Sequence, residues 1–277
     1  MLASLLLTFR EGLEAALVVG IILGYLHQIG HADRRRWVWA AVSVAVALSI
    51  VLAVGLHLLN QSFEGTTEYL FEGFAMLLAV VVLTWMIFWM RAQARHIKPA
   101  LHADIQVAVR QRHNWALFGL AFLAVFREGV ETALFLTAAS FVSSELETVT
   151  GGLIGLTAAV VIGWLLYTGA ARLNVRRFFD VTSVLLLVFA AGLFAHGIHE
   201  FQEAGWLPVF IEHVWDIKSI ASDETTLGAT LRVLVGYNDN PSLLEVVAYL
   251  GYWVGVLVAV NWWANRRAVE QPLPSGA

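Results

Sequence analysis

Cysteine is absent from the 277 residues, and proline occurs only 5 times. The first absence excludes disulfides, thiolate metal sites, iron–sulfur clusters and cysteine nucleophiles. Charge is scarce too, at 14% of residues, while 59% are hydrophobic. A soluble chain of this length would need far more charge to cover its surface, so the composition points to a membrane protein. The net charge of −4 is mild and argues against a nucleic-acid partner. No G-x-x-x-x-G-K-[ST] pattern occurs, so nothing indicates ATP use. A basic n-region is also missing, and Arg10, Glu11 and Glu14 interrupt the first apolar run. That segment reads as a retained helix rather than a signal peptide.

What the chain does have is long apolar runs. A spanning helix needs about 20 mostly apolar residues. That criterion places seven spans, at 3–29, 38–59, 67–90, 115–142, 150–170, 179–200 and 244–264. The basic residues test the count. Arg34, Arg35 and Arg36 follow the first span, and Arg91, Arg95, Lys98, Arg110 and Arg112 follow the third. Arg172, Arg176 and Arg177 follow the fifth, and Arg266 and Arg267 the seventh. Only Lys218 and Arg232 fall on the other side, which instead carries Glu64, Glu145, Glu147 and an acidic stretch after the sixth span. Loops rich in Lys and Arg stay cytoplasmic, so the N-terminus is expected outside and the C-terminus inside. The stretch 201–243 reads either as a partly ordered outer cap or as an interfacial loop anchored by Trp206, Trp215 and Tyr237.

Residues 9–17 read F-R-E-G-L-E-A-A-L and residues 126–134 read F-R-E-G-V-E-T-A-L. Helical similarity between apolar segments produces matching Leu and Ala, not a shared Arg-Glu-Gly-x-Glu. Three spans separate the copies, so they run in opposite directions, as in transporters built from inverted repeats with a site near the midplane. A weaker echo aligns Phe71-Glu72 with Phe179-Asp180. The expected architecture is therefore all-α: seven transmembrane helices forming an inverted three-plus-three repeat with one peripheral helix. Its parts are a first repeat over 1–92, a basic cytoplasmic loop over 93–114 and a second repeat over 115–200. An outer cap over 201–243 and a seventh helix with tail over 244–277 complete it.

At about 100° per residue, Arg10, Glu11 and Glu14 share one helix face, and so do Arg127, Glu128 and Glu131. Each such charge at mid-membrane costs roughly 2.5–3.5 kcal/mol on insertion scales, so both sets are expected to meet inside the bundle. Small residues, Gly12, Gly129 and the Gly20/Gly24 pair, would permit close approach. Four carboxylates against two guanidiniums leave an excess of negative charge suited to a hard multivalent cation. The alternative is plain structural pairing, Arg10 with Glu131 and Arg127 with Glu14.

These motifs and the span count resemble the oxidase-dependent iron permeases, a family with fungal high-affinity, bacterial EfeU-type and lead-uptake members. The resemblance extends to E-G-F-A-M-L-L-A at 72–79, H-G-I-H-E-F-Q-E-A-G-W-L-P at 196–208 and G-Y-N-D-N-P-S at 236–242. It implies a non-enzymatic iron permease with Glu11, Glu14, Glu128 and Glu131 as ligands and no cofactor beyond the transported ion. It also implies a bacterial inner-membrane location and a periplasmic iron-binding or oxidase partner.

A second cluster lies at the expected outer face. His196, His199 and Glu200 end the sixth span, and Glu68 and Glu72 begin the third. Such a set could gather a metal ion or act as a proton-linked gate; Asp180 would then lie at the exit. Lead or another divalent metal is the alternative cargo, since carboxylate and imidazole together tolerate both hard and borderline ions. A membrane di-iron or haem oxidoreductase fits less well, because no E-x-x-H occurs within a span. A scaffold subunit whose buried charges only assemble a complex is the third class.

Overall fold

The computed structural model describes residues 1–93, 114–170, 174–218 and 235–269, and within the two long connections residues 101, 103, 105–107, 225, 228, 231 and 232. Several charges used for orientation (Arg95, Lys98, Arg110, Arg112 and Arg172) lie outside the described residues, as do Asp223 and Glu224.

Seven long helices are present among the described residues: α1 (Leu2–Gln28), α2 (Arg35–Gln61), α3 (Thr66–Gln93), α4 (Asn114–Val142), α5 (Glu145–Tyr167), α6 (Val175–Glu203) and α7 (Leu243–Val269). A single 3-10 turn, Ala32–Arg34, joins α1 to α2. Five helical segments are long and apolar enough to cross a membrane: 32–61, 66–90, 145–167, 177–203 and 243–262. The two long helices not among them are α1 and α4, which carry the Arg-Glu-Gly-x-Glu motifs. Their buried charge lowers the apolarity by which a span is recognised.

The fifth span departs from its expected 150–170. Ser144 caps the helix, its hydroxyl accepting from the Glu147 backbone N–H, and Glu145 and Glu147 sit in the first turn where carboxylates complement the helix dipole. Those two glutamates were expected in a loop. At the other end Gly169, with φ of 73°, stops the helix at Tyr167. The segment expected to form an outer cap is held by backbone hydrogen bonds among its described residues. Val214 N–H bonds to Pro241, Ile217 to Asp239 and Leu243 to Ile211, so 211–217 is stitched to 239–243.

Packing pairs the helices in a specific way. α1 lies most extensively on α5, and α4 lies on α2. α1 and α5 run parallel: the N-terminal ammonium meets Glu147 at 3.2 Å, and further along, a Cβ at Gly163 would come within 2.5 Å of Ala16. Gly151 and Gly155 complete this seam against Ser4 and Thr8. Close approach of α1 therefore comes from the glycines of α5 and from Gly12, not from the expected Gly20/Gly24 pair. Gly24 has nothing within 4 Å. In a bilayer, where burial of apolar surface drives little, such small-residue seams supply the dispersion contact that holds helices together. α3 packs against α6, with Phe74 edge-on to Phe201 at 5.0 Å. The seventh helix rests on α6 and reaches α3 through a 2.8 Å bond between Tyr252 and Thr84.

Candidate metal site between the two motifs

Each motif arginine pairs within its own helix. Arg10 Nη1 lies 3.0 Å from Glu11 Oε1, and its Nη2 lies 3.2 Å from Glu14 Oε1. Arg127 Nη2 lies 2.6 Å from Glu128 Oε1 and its Nε 3.4 Å from Glu131 Oε1. The one-face geometry expected from helix periodicity is what lets a single guanidinium reach positions i+1 and i+4. Cross-motif pairing of Arg10 with Glu131 and Arg127 with Glu14 is not what holds the two helices together.

All four glutamates are buried, and three of them converge. Glu11, Glu128 and Glu131 each offer an oxygen, and those oxygens lie within 4.8 Å of one another. Ligands on opposite sides of a small hard cation sit about 4 Å apart, given bonds of about 2.0–2.2 Å. The separation is thus ion-sized with little movement. Each converging carboxylate turns one oxygen to an arginine, while Oε2 of Glu11, Glu128 and Glu131 is buried with no hydrogen-bond partner among the described residues. A buried carboxylate oxygen without a donor is costly, and a cation would satisfy all three at once. Glu14 stands apart, beside Arg10 without proper hydrogen-bond alignment.

The motif glycines serve this meeting. A side chain at Gly12 would strike Ala159 of α5 at 2.8 Å, and one at Gly129 would strike Ser49 of α2 at 2.7 Å. Each motif helix is thereby pressed by a neighbour from the opposite triplet.

Helix α3 supplies partners that the motif pattern did not disclose. Arg10 donates to the thioether sulfurs of Met86 at 3.5 Å and Met90 at 3.0 Å. Arg127 lies over the Trp89 ring at 5.0 Å. The chain has only 4 methionines, and two of them, one turn apart on α3, meet one arginine. That spacing was the available signal.

The outer residues form a looser arrangement. His196 Nε2 lies 3.6 Å from Glu200 Oε1, and the rings of His196 and His199 stack at 5.8 Å. Glu68 and Glu72, on the first turns of α3, are half-buried. Among the described residues, these five do not close into a ligand set as tight as the motif glutamates. Asp180 is exposed on α6 near its start. Sequence patterns overlooked Glu245 of α7, a buried carboxylate whose Oε1 lies 3.1 Å from His199 Nδ1. His196, His199, Glu203 and Glu245 line a cavity of about 400 Å³ beneath the cap.

Comparison with known proteins matches the amino-acid sequence to a family. No solved structure resembles the chain. The ferrous iron permease EfeU of Escherichia coli O6:K15:H31 (strain 536 / UPEC) is 39% identical over 264 residues, covering 94% of this chain and 95% of its own length. The protein of the same name from Shigella sonnei (strain Ss046) matches equally, at 39% over the same share. That from Yersinia pestis is 35% identical over 260 residues, 93% of this chain and 92% of its own. The iron permease FTR1 family model covers residues 1–267, and the chain therefore belongs to that family as a multi-pass membrane protein.

Proposed function

We propose that this protein carries iron inward across the bacterial inner membrane, with the ion bound in transit by the glutamates of its two Arg-Glu-Gly-x-Glu motifs. The observation that carries the proposal is the convergence of Glu11, Glu128 and Glu131 with three unpartnered buried oxygens. The relatives' names, ferrous iron permeases, favour Fe2+ as the ion taken up. Glu14 acts beside this set as the second carboxylate on Arg10.

Seven spans with the N-terminus outside follow from the alternation of basic loops. An inverted relation between helices α1–α3 and α4–α6 is supported by their pairing. Exchange of the triplets turns the α1–α5 contact into the α4–α2 contact, and both are among the most extensive in the fold. Alternating access then amounts to rocking of one triplet against the other around the carboxylates. Iron gathers first at Glu68, Glu72, His196, His199 and Glu200, passes to the motif glutamates, and leaves toward Asp180. The exposed cap, with Trp206 and Phe210 at its surface, is the face a delivering periplasmic protein would meet.

The test is uptake into proteoliposomes of the purified chain with Fe2+, Fe3+ and Pb2+, with and without a pH gradient. Saturable Fe2+ uptake that Glu128→Gln abolishes is the expected result. Uptake of lead in preference to iron, or iron uptake indifferent to Glu128→Gln, would overturn the proposal.

A further inference from the structure

The cavity under the cap contains a carboxylate whose bonding exceeds what the fold requires. Glu245 stands three residues into α7, after Ser242, and the two form a capping box. Ser242 N–H donates to Glu245 Oε1 at 3.1 Å, and Glu245 N–H donates to Ser242 Oγ at 3.3 Å. A capping box accounts for those two bonds and no others. Glu245 also accepts from Asn238 Nδ2 at 2.8 Å on Oε2 and meets His199 Nδ1 at 3.1 Å through Oε1. Only 4% of Glu245 is exposed, against 38% of the His199 side chain, so a buried acceptor holds a ring that reaches into the cavity.

The segment that brings Asn238 there is built for close approach. Gly236 has φ of 67°, and a side chain at Gly192 of α6 would fall 2.6 Å from the Gly236 Cα. Backbone meets backbone, and G-Y-N-D-N-P-S is pressed onto α6 beside the histidines. Trp215 Nε1, bonding to the Asn238 carbonyl at 3.2 Å, fixes the same turn from the cap side.

An ionised carboxylate only accepts, so the proton of the His199–Glu245 bond sits on Nδ1 of His199. With the ring neutral, as a metal ligand must be, Nε2 is a lone-pair donor turned away from Glu245. One turn along the same helix it faces Glu203 Oε1 at 3.9 Å, too far for a hydrogen bond. His196 Nε2 stands 3.6 Å from Glu200 Oε1 on the same helix face. Gaps of that size are close to the about 4 Å spanned by two metal–ligand bonds of about 2.1 Å. Carboxylate–histidine–metal relays of this form raise ligand basicity and lock ring orientation.

We infer that Glu245 is the positioning residue of a separate outer metal station, in which His199, His196 and the carboxylates of Glu200 and Glu203 take a borderline divalent cation. The inference rests on the outer cluster being a metal-gathering set and adds to it the seventh helix and its capping segment. The donor types divide the labour. Nitrogen with oxygen selects borderline ions such as Fe2+ over hard Ca2+ and Mg2+ at the mouth, and the motif site within offers oxygen alone.

Co2+ titration of the purified full chain in detergent, followed by its visible absorption, tests this without transport. In a Glu11→Gln/Glu131→Gln background one Co2+ station should persist, and His199→Ala should abolish it. Adding Glu245→Gln, which preserves the capping box and the side-chain volume, should weaken Co2+ binding roughly 10–100-fold. Glu245→Asp should restore part of the loss. Ser242→Ala, which removes the hydroxyl cap and its 2.7 Å bond to Gln202 but no contact of the Glu245 carboxylate, should leave Co2+ affinity as it was. In transport, Glu245→Gln should raise KM for Fe2+ with little change in maximal rate. Co2+ affinity within about twofold of the background protein in Glu245→Gln, set against the expected loss, would overturn the assignment. So would the disappearance of all Co2+ binding once the motif glutamates are replaced. Normal iron uptake by the Glu11→Gln/Glu131→Gln protein would instead refute the permeation site, and the outer titration would still be readable on its own.

Discussion

Arg10 and Arg127 occupy the same position in two copies of one motif, yet α3 receives them differently. The Arg10 side chain is 1% exposed and ends on the sulfurs of Met86 and Met90, whereas the Arg127 side chain is 45% exposed and lies over Trp89. One guanidinium is enclosed by two carboxylates and two thioethers. The other keeps an open side. The two halves of the site are therefore related in sequence and unequal in environment.

That inequality predicts unequal mutants. Arg10→Ala leaves Glu11 and Glu14 buried without their cation, a change that costs about 3–5 kcal/mol for buried pairs. Arg10→Lys should recover only part, because an ammonium cannot serve two carboxylates in a planar fork. Arg127→Lys should be the milder change, since that side chain is less enclosed and only one of its two carboxylate contacts, to Glu128 at 2.6 Å, is short. Folded yield in detergent and Fe2+ uptake of the variants check the order. Equal damage from Arg10→Lys and Arg127→Lys would contradict it.

Glu128→Gln and Glu131→Gln remove a converging oxygen ligand each while keeping volume. With a charged ligand worth about 3 kcal/mol or more in a dry site, transport should fall at least about 100-fold with membrane insertion intact. Glu14→Gln leaves the three converging oxygens in place but strips Arg10 of one partner, and uptake should fail there as well. Fe2+ uptake measured against protein content decides, and near-normal rates in Glu14→Gln and Glu131→Gln together would sink the carboxylate site.

Met86→Leu with Met90→Leu conserves core volume, so packing should lose less than about 1.5 kcal/mol per site. What disappears is the pair of sulfur acceptors on Arg10. The double variant should fold and melt within a few degrees of the parent, with uptake reduced less than in Arg10→Lys. A variant as inactive as Arg10→Ala would mean that the thioethers contribute more than orientation.

Gly155→Ala should weaken the α1–α5 seam, because its Cβ would press on the Thr8 side chain and the α1 backbone, including Phe9 N at 3.0 Å. Overpacking of this kind costs about 1–3 kcal/mol. Gly24→Ala, which meets nothing within 4 Å, should stay within about 0.5 kcal/mol. Thermal unfolding in detergent compares them, and a larger loss at Gly24 would place the helix contact elsewhere.

Much of this was legible in the chain itself. Scarcity of charge with long apolar runs specifies helices in a membrane, because a bilayer leaves no other partner for the backbone of a single apolar segment. A repeated Arg-Glu-Gly-x-Glu specifies that three charges share a face, since that follows from 3.6 residues per turn and nothing else. Local rules of this kind fixed the helices to within a few residues, and they erred where a cap or a left-handed glycine decided, as at Ser144 and Gly169. Tertiary structure alone decided which residues meet across the bundle. Glu11 finds Glu128 and Glu131 while Glu14 does not, the arginines end on Met86, Met90 and Trp89, and His199 is held by Glu245, 46 residues away. Periodicity orders side chains around one helix axis. The rotation and depth of each helix against its neighbours come from the small-residue seams between helices, and those contacts exist only once the bundle has closed.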